Sequence, residues 1–446
     1  MGKTLGDLAK SGYIAISTGP FGSALHAHDY QETGIPVIPT EAIEPGRLRH
    51  DRIVRISEQK ARELARHRLQ PGDIVFARRG VQACGLSAPV TKRDGEAIAG
   101  TGVITLRILA PEKVDPGFLA CAVGAPISVT WLKQHAIGAT MPNLNSSVVL
   151  ELPIRLPDIQ TQRAIARIFG TLDDKIDLCR RMNRTLEETA RSVFKSWFVD
   201  FEPVRAKAEG RDRGLPKAVA DLFPKHFEDS ELGEIPAGWE VADIYGVADV
   251  IYGAPFQSDL FNEAGNGLPL IRIRDLSTHD PSVFTPEEHP KGCRVSAGDL
   301  VVGMDGEFRA HLWRGPQAWL NQRLCCFRPK QRVPRAFVHY SIEVPLRFFE
   351  DSKTGTTVIH LGKADIDTFR LVIPPSPILA AFGKIADPLD LRILSNAGES
   401  RALAVLRDTL LPKLLSGELR IKDAERFVVA DSKPSESRLG LRAAAP

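Results

Sequence analysis

From Gly138 to Pro157 the chain reads G-A-T-M-P-N-L-N-S-S-V-V-L-E-L-P-I-R-L-P, and from Gly355 to Pro374 it reads G-T-T-V-I-H-L-G-K-A-D-I-D-T-F-R-L-V-I-P. The same plan thus occurs twice, 217 residues (355 − 138) apart. Downstream the offset persists: Leu172 meets Leu389, Ile176 meets Ile393, Leu186 meets Leu403 and Val193 meets Leu410. Upstream it shifts slightly. Pro20-Phe21-Gly22-Ser23 faces Pro255-Phe256-Gln257-Ser258, Gly34 to Ile38 faces Gly267 to Ile271, and Gly72 to Val75 faces Gly298 to Val301. A period this long excludes short-repeat solenoids and propellers and predicts two globular units, each followed by a helix. Two similar modules on one chain suit a ligand with two similar halves.

The chain has 446 residues, enough for two to four domains with full cores. Its 43 % hydrophobic and 25 % charged content is that of a soluble globular protein. No apolar run is long enough to span a bilayer, and the opening Met-Gly-Lys-Thr-Leu-Gly-Asp-Leu lacks the apolar stretch of a secretory signal, so a cytoplasmic location is expected. Six cysteines, at 84, 121, 179, 293, 325 and 326, form no C-x-x-C pair and no spacing that suits zinc, and no metal is expected. A net charge of +3 does not by itself demand a nucleic-acid partner, so any basic surface must be local.

Short β-rich runs (Pro36 to Pro39, Asp73 to Ala77, Gly102 to Ile108) alternate with Gly/Pro turns through residue 157, which predicts a mixed α/β globule. Ser57 to Arg68 reads as one helix capped by Ser57. Residues 158–201 hold no proline and only Gly170, which permits helix on each side of that glycine. Leu172, Ile176, Cys179, Asn183, Leu186, Ala190, Val193 and Trp197 alternate spacings of four and three, a heptad seam whose polar member, Asn183, is placed to fix register opposite Asn396 or Ser400. Residues 202–231 read as a charged, proline-containing connector, 232–373 as the second globule and 374–420 as the second helix. That helix keeps Leu389, Ile393, Leu403, Leu410 and Leu414 but puts Asn396, Ser400 and Arg407 in the seam. The tail, 421–446, reads as disordered.

No catalytic motif emerges. The glycine-rich turn and N-P-P-[FY] or D-P-P-Y loop of a DNA methyltransferase are missing, as are a Walker A motif, a nuclease carboxylate pattern, G-x-S-x-G and H-E-x-x-H. What is present is Leu156, Pro157, Gln160, Arg163 and Ile165 ahead of a helix ending Ser192-Val193-Phe194-Lys195-Ser196-Trp197-Phe198. With these stand Leu232-Gly233-Glu234-Ile235-Pro236-Ala237-Gly238-Trp239-Glu240, the strand entries Pro71-Gly72-Asp73 and Ala297-Gly298-Asp299, and the closing Leu410 to Leu419. In this order the chain resembles the specificity subunits of type I restriction-modification systems over nearly its whole length. The resemblance implies two target-recognition domains separated by two conserved helices packed as an antiparallel coiled coil. Each domain would read one half of a bipartite, asymmetric site in double-stranded DNA. The helices would dock two modification (methyltransferase) subunits, with restriction subunits as further partners. S-adenosylmethionine, ATP and Mg would belong to those partner subunits and not to this chain. Pro377 stands where the second copy would match Gln160.

Base readout needs forked donors and amides on loops. The DNA-contacting candidates are Arg78, Arg79, Lys92, Arg93, Lys133, Gln134 and His135 in the first globule, and Arg309, His311, Arg314, Arg323 and Lys353 in the second. Each group equally fits solvated loop cations. Gly22-Ser23, Thr140, Thr356 and Thr357 fit phosphate contacts or plain turns. Two other readings compete: a restriction enzyme polypeptide with its own degenerate active site, and a stand-alone DNA-binding scaffold.

Overall fold

The computed structural model describes residues 3–80, 82–138, 142–211, 214–352 and 359–424. The chain divides into two compact units, one made of residues 1–176 and 402–446 and the other of 177–401. Each long helix therefore contributes one half to each unit.

In the first unit a four-stranded antiparallel sheet runs in the order Ile14–Thr18, Val103–Ile108, Ile74–Ala77, Ser87–Pro89. Its central strand, Ile74 to Ala77, is buried throughout, which is why it is a continuous apolar run and not an alternating one. A second sheet orders Ile98–Ala99, Ile35–Ile38, Val54–Ile56 and Tyr30–Gln31, with the first pair parallel. The second unit repeats the order of the first sheet and the parallel pair of the second. Ala248–Tyr252, Leu324–Pro329, Leu300–Gly303 and Ala310–Leu312 form the first sheet, and Leu268–Ile271 pairs in parallel with Ala318–Leu320 in the second. Each repeated globule also ties a strand near its start to its last strand: Lys3–Thr4 pairs with Pro153–Ile154, and Glu240–Asp243 with Arg370–Ile373.

The echoed glycines mark places where backbone meets backbone. A Cβ at Gly34 would overlap the Ile56 carbonyl oxygen, and one at its counterpart Gly267 would overlap that of Thr285. Both residues have positive φ, 122° and 90°, so the duplicated Gly-x-Pro is a steric requirement.

The first long helix, Ile159–Phe198, does not break at Gly170, which is exposed with open space beside it. A single glycine costs a helix only about 1 kcal/mol, less than the burial of Phe169 and Leu172 on either side returns. The second, Ser376–Ser416, runs through Pro388 and Pro412, both exposed. In the second unit the two helices are antiparallel: Cys179 Sγ lies 3.9 Å from Glu399 Oε2, Asn183 meets Asn396, and the Phe194 and Phe382 rings are 6.2 Å apart. Asn396 Nδ2 donates to Asn183 Oδ1 at 2.8 Å, and Asn183 Nδ2 donates to the Ile393 carbonyl at 3.1 Å, with both side chains buried. The polar position of the seam therefore faces Asn396. In the first unit Leu172 and Ile176 share a core with Leu403, Leu410 and Leu414, and Arg407 reaches Asp173 at 3.0 Å.

Two expectations change. The helix expected over Ser57 to Arg68 keeps its cap, Lys60 N donating to Ser57 Oγ at 3.1 Å, but its α-helical part is only Glu58–Glu63. At Leu64 (φ −95°, ψ 17°) the chain tightens into a 3-10 turn, Ala65–His67, between the buried Leu64 and Leu69. The stretch 202–231, expected as a connector, belongs to the second unit. It contributes a helix, Glu202–Ala208, and a strand, Phe227–Ser230, paired with Gly233–Pro236. Val204 and Phe223 are buried with Trp197 and Trp239, and Lys207 Nζ donates to the carbonyls of Ala220, Asp221 and Phe223 at 3.0, 3.2 and 2.5 Å. Apolar residues spaced through the charged stretch outweigh its charge. In the tail, 421–424 are helical, and the rest of the expected disordered segment lies outside the described residues.

Replacing Asn396 by Leu leaves the buried Asn183 Oδ1 without its donor and should lower stability by about 1–3 kcal/mol, whereas the Asn183→Leu/Asn396→Leu double variant should recover most of it. Chemical denaturation of the four proteins of the cycle measures this coupling. Burial pushes the Asp390 carboxyl up to about 6, against the opposing pull of Arg335 3.7 Å away. A raised carboxyl pKa means stability is lost as pH rises from about 4 through 6. Asp390→Asn should therefore stabilise the protein at pH 8, by roughly 1–3 kcal/mol, with the gain gone at pH 4. Thermal melts across that range test the sign.

Candidate nucleic-acid interface

Arg78 and Arg79 leave the end of the central strand Ile74–Ala77, and Gly80 turns the chain with φ 109°. Arg78 is a brace. Its Nε donates to Asn143 Oδ1 at 3.1 Å and to the Leu144 carbonyl at 2.9 Å, holding the 143–144 segment against the strand end. Arg79 is exposed and has no hydrogen-bond or ion-pair partner among the described residues. It bridges to Asn143 through the backbone and lines a cleft of about 160 Å³ with Gly19, Pro20, Phe21, Gly22, Thr101 and Gly102. Phe21 in that cleft is 66 % exposed, unusual for a large aromatic side chain.

Lys133, Gln134 and His135 end the helix Pro126–Gln134 and lead into Ile137, whose backbone also pairs with Asn143. All three are exposed, and His135 stacks on Trp131 with ring centroids 3.8 Å apart. Through Ile137 the chain that follows this helix end is tied to Asn143, which the Arg79 backbone also bridges. Lys92 and Arg93 are not part of this arrangement. They sit on the 3-10 turn Lys92–Asp94, beyond Pro89, which pairs with Ile74 at the far end of the strand that Arg78 leaves.

In the second unit Arg323 and Asp305 form an ion pair, and Asp305 Oδ1 lies 2.7 Å from His360 Nδ1. Asp305 is held below the usual carboxylate range: burial alone would raise it, but His360 and Arg323 outweigh burial. Arg309 is exposed and pairs with Glu307 at 3.3 Å. Arg314 is a structural cation. Its guanidinium pairs with Glu187 on the first long helix, and its carbonyl accepts from Arg401 on the second. His311 lies in a packed region with His279, ring centroids 6.4 Å apart, and burial lowers the pKa of both, His279 to about 4. Lys353, like Thr140, Thr356 and Thr357, lies outside the described residues.

On the helices, Gln160 and Arg163 are exposed at the head of the first, which Asp158 caps by accepting from the Gln160 and Thr161 amides at 3.0 Å each. The buried glutamine is Gln162: its Oε1 accepts from Asp115 N at 2.9 Å, and its Nε2 donates to the carbonyls of Lys113 and Pro157 at 3.1 and 2.8 Å. Leu172, Ile176, Asn183, Trp197, Ile393, Leu403, Leu410 and Leu414 are buried, and Leu186, Val193 and Leu389 partly so. Asn143, Asp305 and His360 were missed by sequence reasoning. The signal available for two of them was the register of the repeat, in which Asn143 and His360 occupy the same place in the quoted stretches.

The described residues include no group of three His, Cys, Asp or Glu arranged to hold a metal ion, and no helix long and apolar enough to cross a membrane. Burial raises the thiols of Cys84, Cys121, Cys293, Cys325 and Cys326, that of Cys121 to about 12, the reverse of what a nucleophile needs.

Residues 3–188 and 236–403 match the family described as type I restriction modification DNA specificity domain. The specificity subunit of the type I restriction enzyme HindI of Haemophilus influenzae is 26 % identical over 331 residues, 63 % of this chain and 72 % of that protein. That of the enzyme MjaIX of Methanocaldococcus jannaschii is 29 % identical over 305 residues, 66 % of each. Among solved structures, the type I restriction-modification S subunit from M. genitalium aligns with TM-score 0.51 at 16 % identity, covering 93 % of this chain and 95 % of that one, a likeness of fold. With its matched segments falling on the two repeated globules, the chain belongs to the type I restriction-modification DNA specificity family and is the DNA-recognition subunit of such a system.

Proposed function

We propose that each unit reads one half of a bipartite, asymmetric double-stranded DNA site, and that the chain does so as the non-catalytic core of a cytoplasmic complex with two modification subunits. The observation that carries this reading is the duplication of one sheet order and one strand-end tip, each offering exposed cations, with different side chains on the two tips. Different side chains on one frame suit two half-sites of different sequence. The adenine methylation would be performed by the partner subunits, which would bring S-adenosylmethionine. Where restriction subunits join, ATP and Mg would come with them.

The exposed Gln160 and Arg163 are the residues we assign to docking at the head of the first helix, while the seam residues hold the helix pair together. Helices that run without interruption through 40 and 41 residues support a fixed gap between half-sites, because length along a helix is set at about 1.5 Å per residue. Most of the free energy of binding should come from phosphate contacts and fall steeply with salt, with base contacts choosing the site.

Purified together with an adenine methyltransferase subunit, the chain should direct methylation to one split sequence, read by sequencing the modified positions. Methylation or cleavage by the chain alone would instead favour the degenerate-enzyme reading, and sequence-selective binding without any modification would favour the scaffold. Inserting four residues, about one helical turn, into both helices should lengthen the unspecified gap while leaving the two half-site sequences intact.

A further inference from the structure

The two tips share a backbone frame down to individual hydrogen bonds. Arg78 N donates to the Gly102 carbonyl at 2.9 Å, and Met304 N to the Arg323 carbonyl at 2.9 Å. Leu144 N donates to the Arg78 carbonyl at 2.7 Å, and Leu361 N to that of Met304 at 2.7 Å. Gly19 N donates to Val103 and Gly253 N to Leu324, at 2.8 and 2.9 Å. The neighbouring bridges, Arg79 to Asn143 and Asp305 to His360, complete the match. Position by position, then, Arg79 corresponds to Asp305, Gly102 to Arg323 and Asn143 to His360.

The side chains at these matched positions are exchanged in a particular way. In the first unit the Arg79 side chain runs across Gly102, where a Cβ would sit 2.9 Å from the Arg79 Nε. In the second unit the arginine stands at the glycine's position, on the opposite strand, and reaches back to the carboxylate at the position of Arg79. Each tip therefore carries one arginine whose side chain crosses the same pair of strand ends, in opposite directions in the two units. Folding does not require this. The Arg323 side chain is 63 % exposed while its Asp305 partner is 11 % exposed, and an ion pair whose cation is open to solvent contributes modestly to stability. A planar, forked donor at each tip suits a ligand that accepts two parallel hydrogen bonds.

Resting on the half-site reading above, we propose that Arg79 and Arg323 are the base-reading residues of the two units, each recognising the guanine of one G·C pair through its O6 and N7 acceptors. The fork of a guanidinium matches that pair of acceptors in the major groove. Asp305 and His360 are positioning residues that hold Arg323 in place before DNA arrives. Among the described residues Arg79 has no such support, so its ordering would fall to the DNA and the first half-site would carry the larger ordering cost.

The test is the methylated sequence produced by the complex with its methyltransferase subunit, using Arg79→Ala, Arg79→Lys, Arg323→Ala, Arg323→Lys and Asp305→Asn, with thermal unfolding checked for each. Arg79→Ala should relax one G·C position in one half-site by about 10- to 100-fold, and Arg323→Ala one position in the other half. Asp305→Asn should relax the same position as Arg323→Ala, but less. The lysine variants should lose the discrimination too, since an ammonium keeps the charge and not the fork. Lysine variants that keep the wild-type sequence would mark phosphate contacts and overturn the assignment, as would changes in both halves from one substitution or in neither. Those results would leave the specificity-subunit reading standing, provided the wild-type complex methylates a split site. A wild-type complex that methylates none counts against that reading and the assignment with it.

Discussion

The packing of the two long helices against each other is the constraint on which the rest of the chain depends. In the first unit it takes the form of an aliphatic layer, Leu172 and Ile176 with Leu403, Leu410 and Leu414. In the second it is an aromatic cluster, Phe194, Trp197 and Phe198 with Phe337 and Phe382, interrupted by one buried amide pair, Asn183 with Asn396. An aliphatic seam tolerates sliding by a turn at modest cost. A buried amide pair does not, because each slip would leave two amides without partners in an apolar setting. The heptad pattern supplies affinity between the helices, and the asparagines choose the register.

Around that seam the two globules show how a duplicated frame diverges. Backbone hydrogen bonds and close approaches are kept, as at Gly34 and Gly267, because a side chain there would collide with a carbonyl whatever the function. Exposed positions at the strand ends are under no such steric rule. Placing Asp305 and Arg323 where the first unit has Arg79 and Gly102 leaves the matched main-chain bonds at 2.7–2.9 Å in both units. Shape is thus held by the main chain and recognition is left to a few exposed side chains.

Charge is distributed by the same division. With a net charge of +3 over the whole chain, cations available to a polyanion must be few and local. Many arginines are already engaged: Arg107 with Asp73, Arg314 with Glu187, Arg191 with Glu343 and Arg407 with Asp173. Arg79 and the exposed Lys133 and Lys92 stand apart from these structural pairs.

Taken by itself, the sequence determined the duplication, the two globules, the two helices and their seam, because each of these is written as a period or a spacing that a linear reading detects. It also carried the family resemblance, since that rests on ordered local motifs. Tertiary structure alone decided which cations are structural. Arg314 and Arg323 look alike in sequence, yet Arg314 is pinned to a helix residue 127 positions away and Arg323 is presented at a tip. It decided that Gln162 and not Gln160 is buried, that Asn183 meets Asn396, and that 202–231 folds into the second unit. These outcomes depend on contacts between segments far apart in the chain, and such contacts leave no local pattern to read.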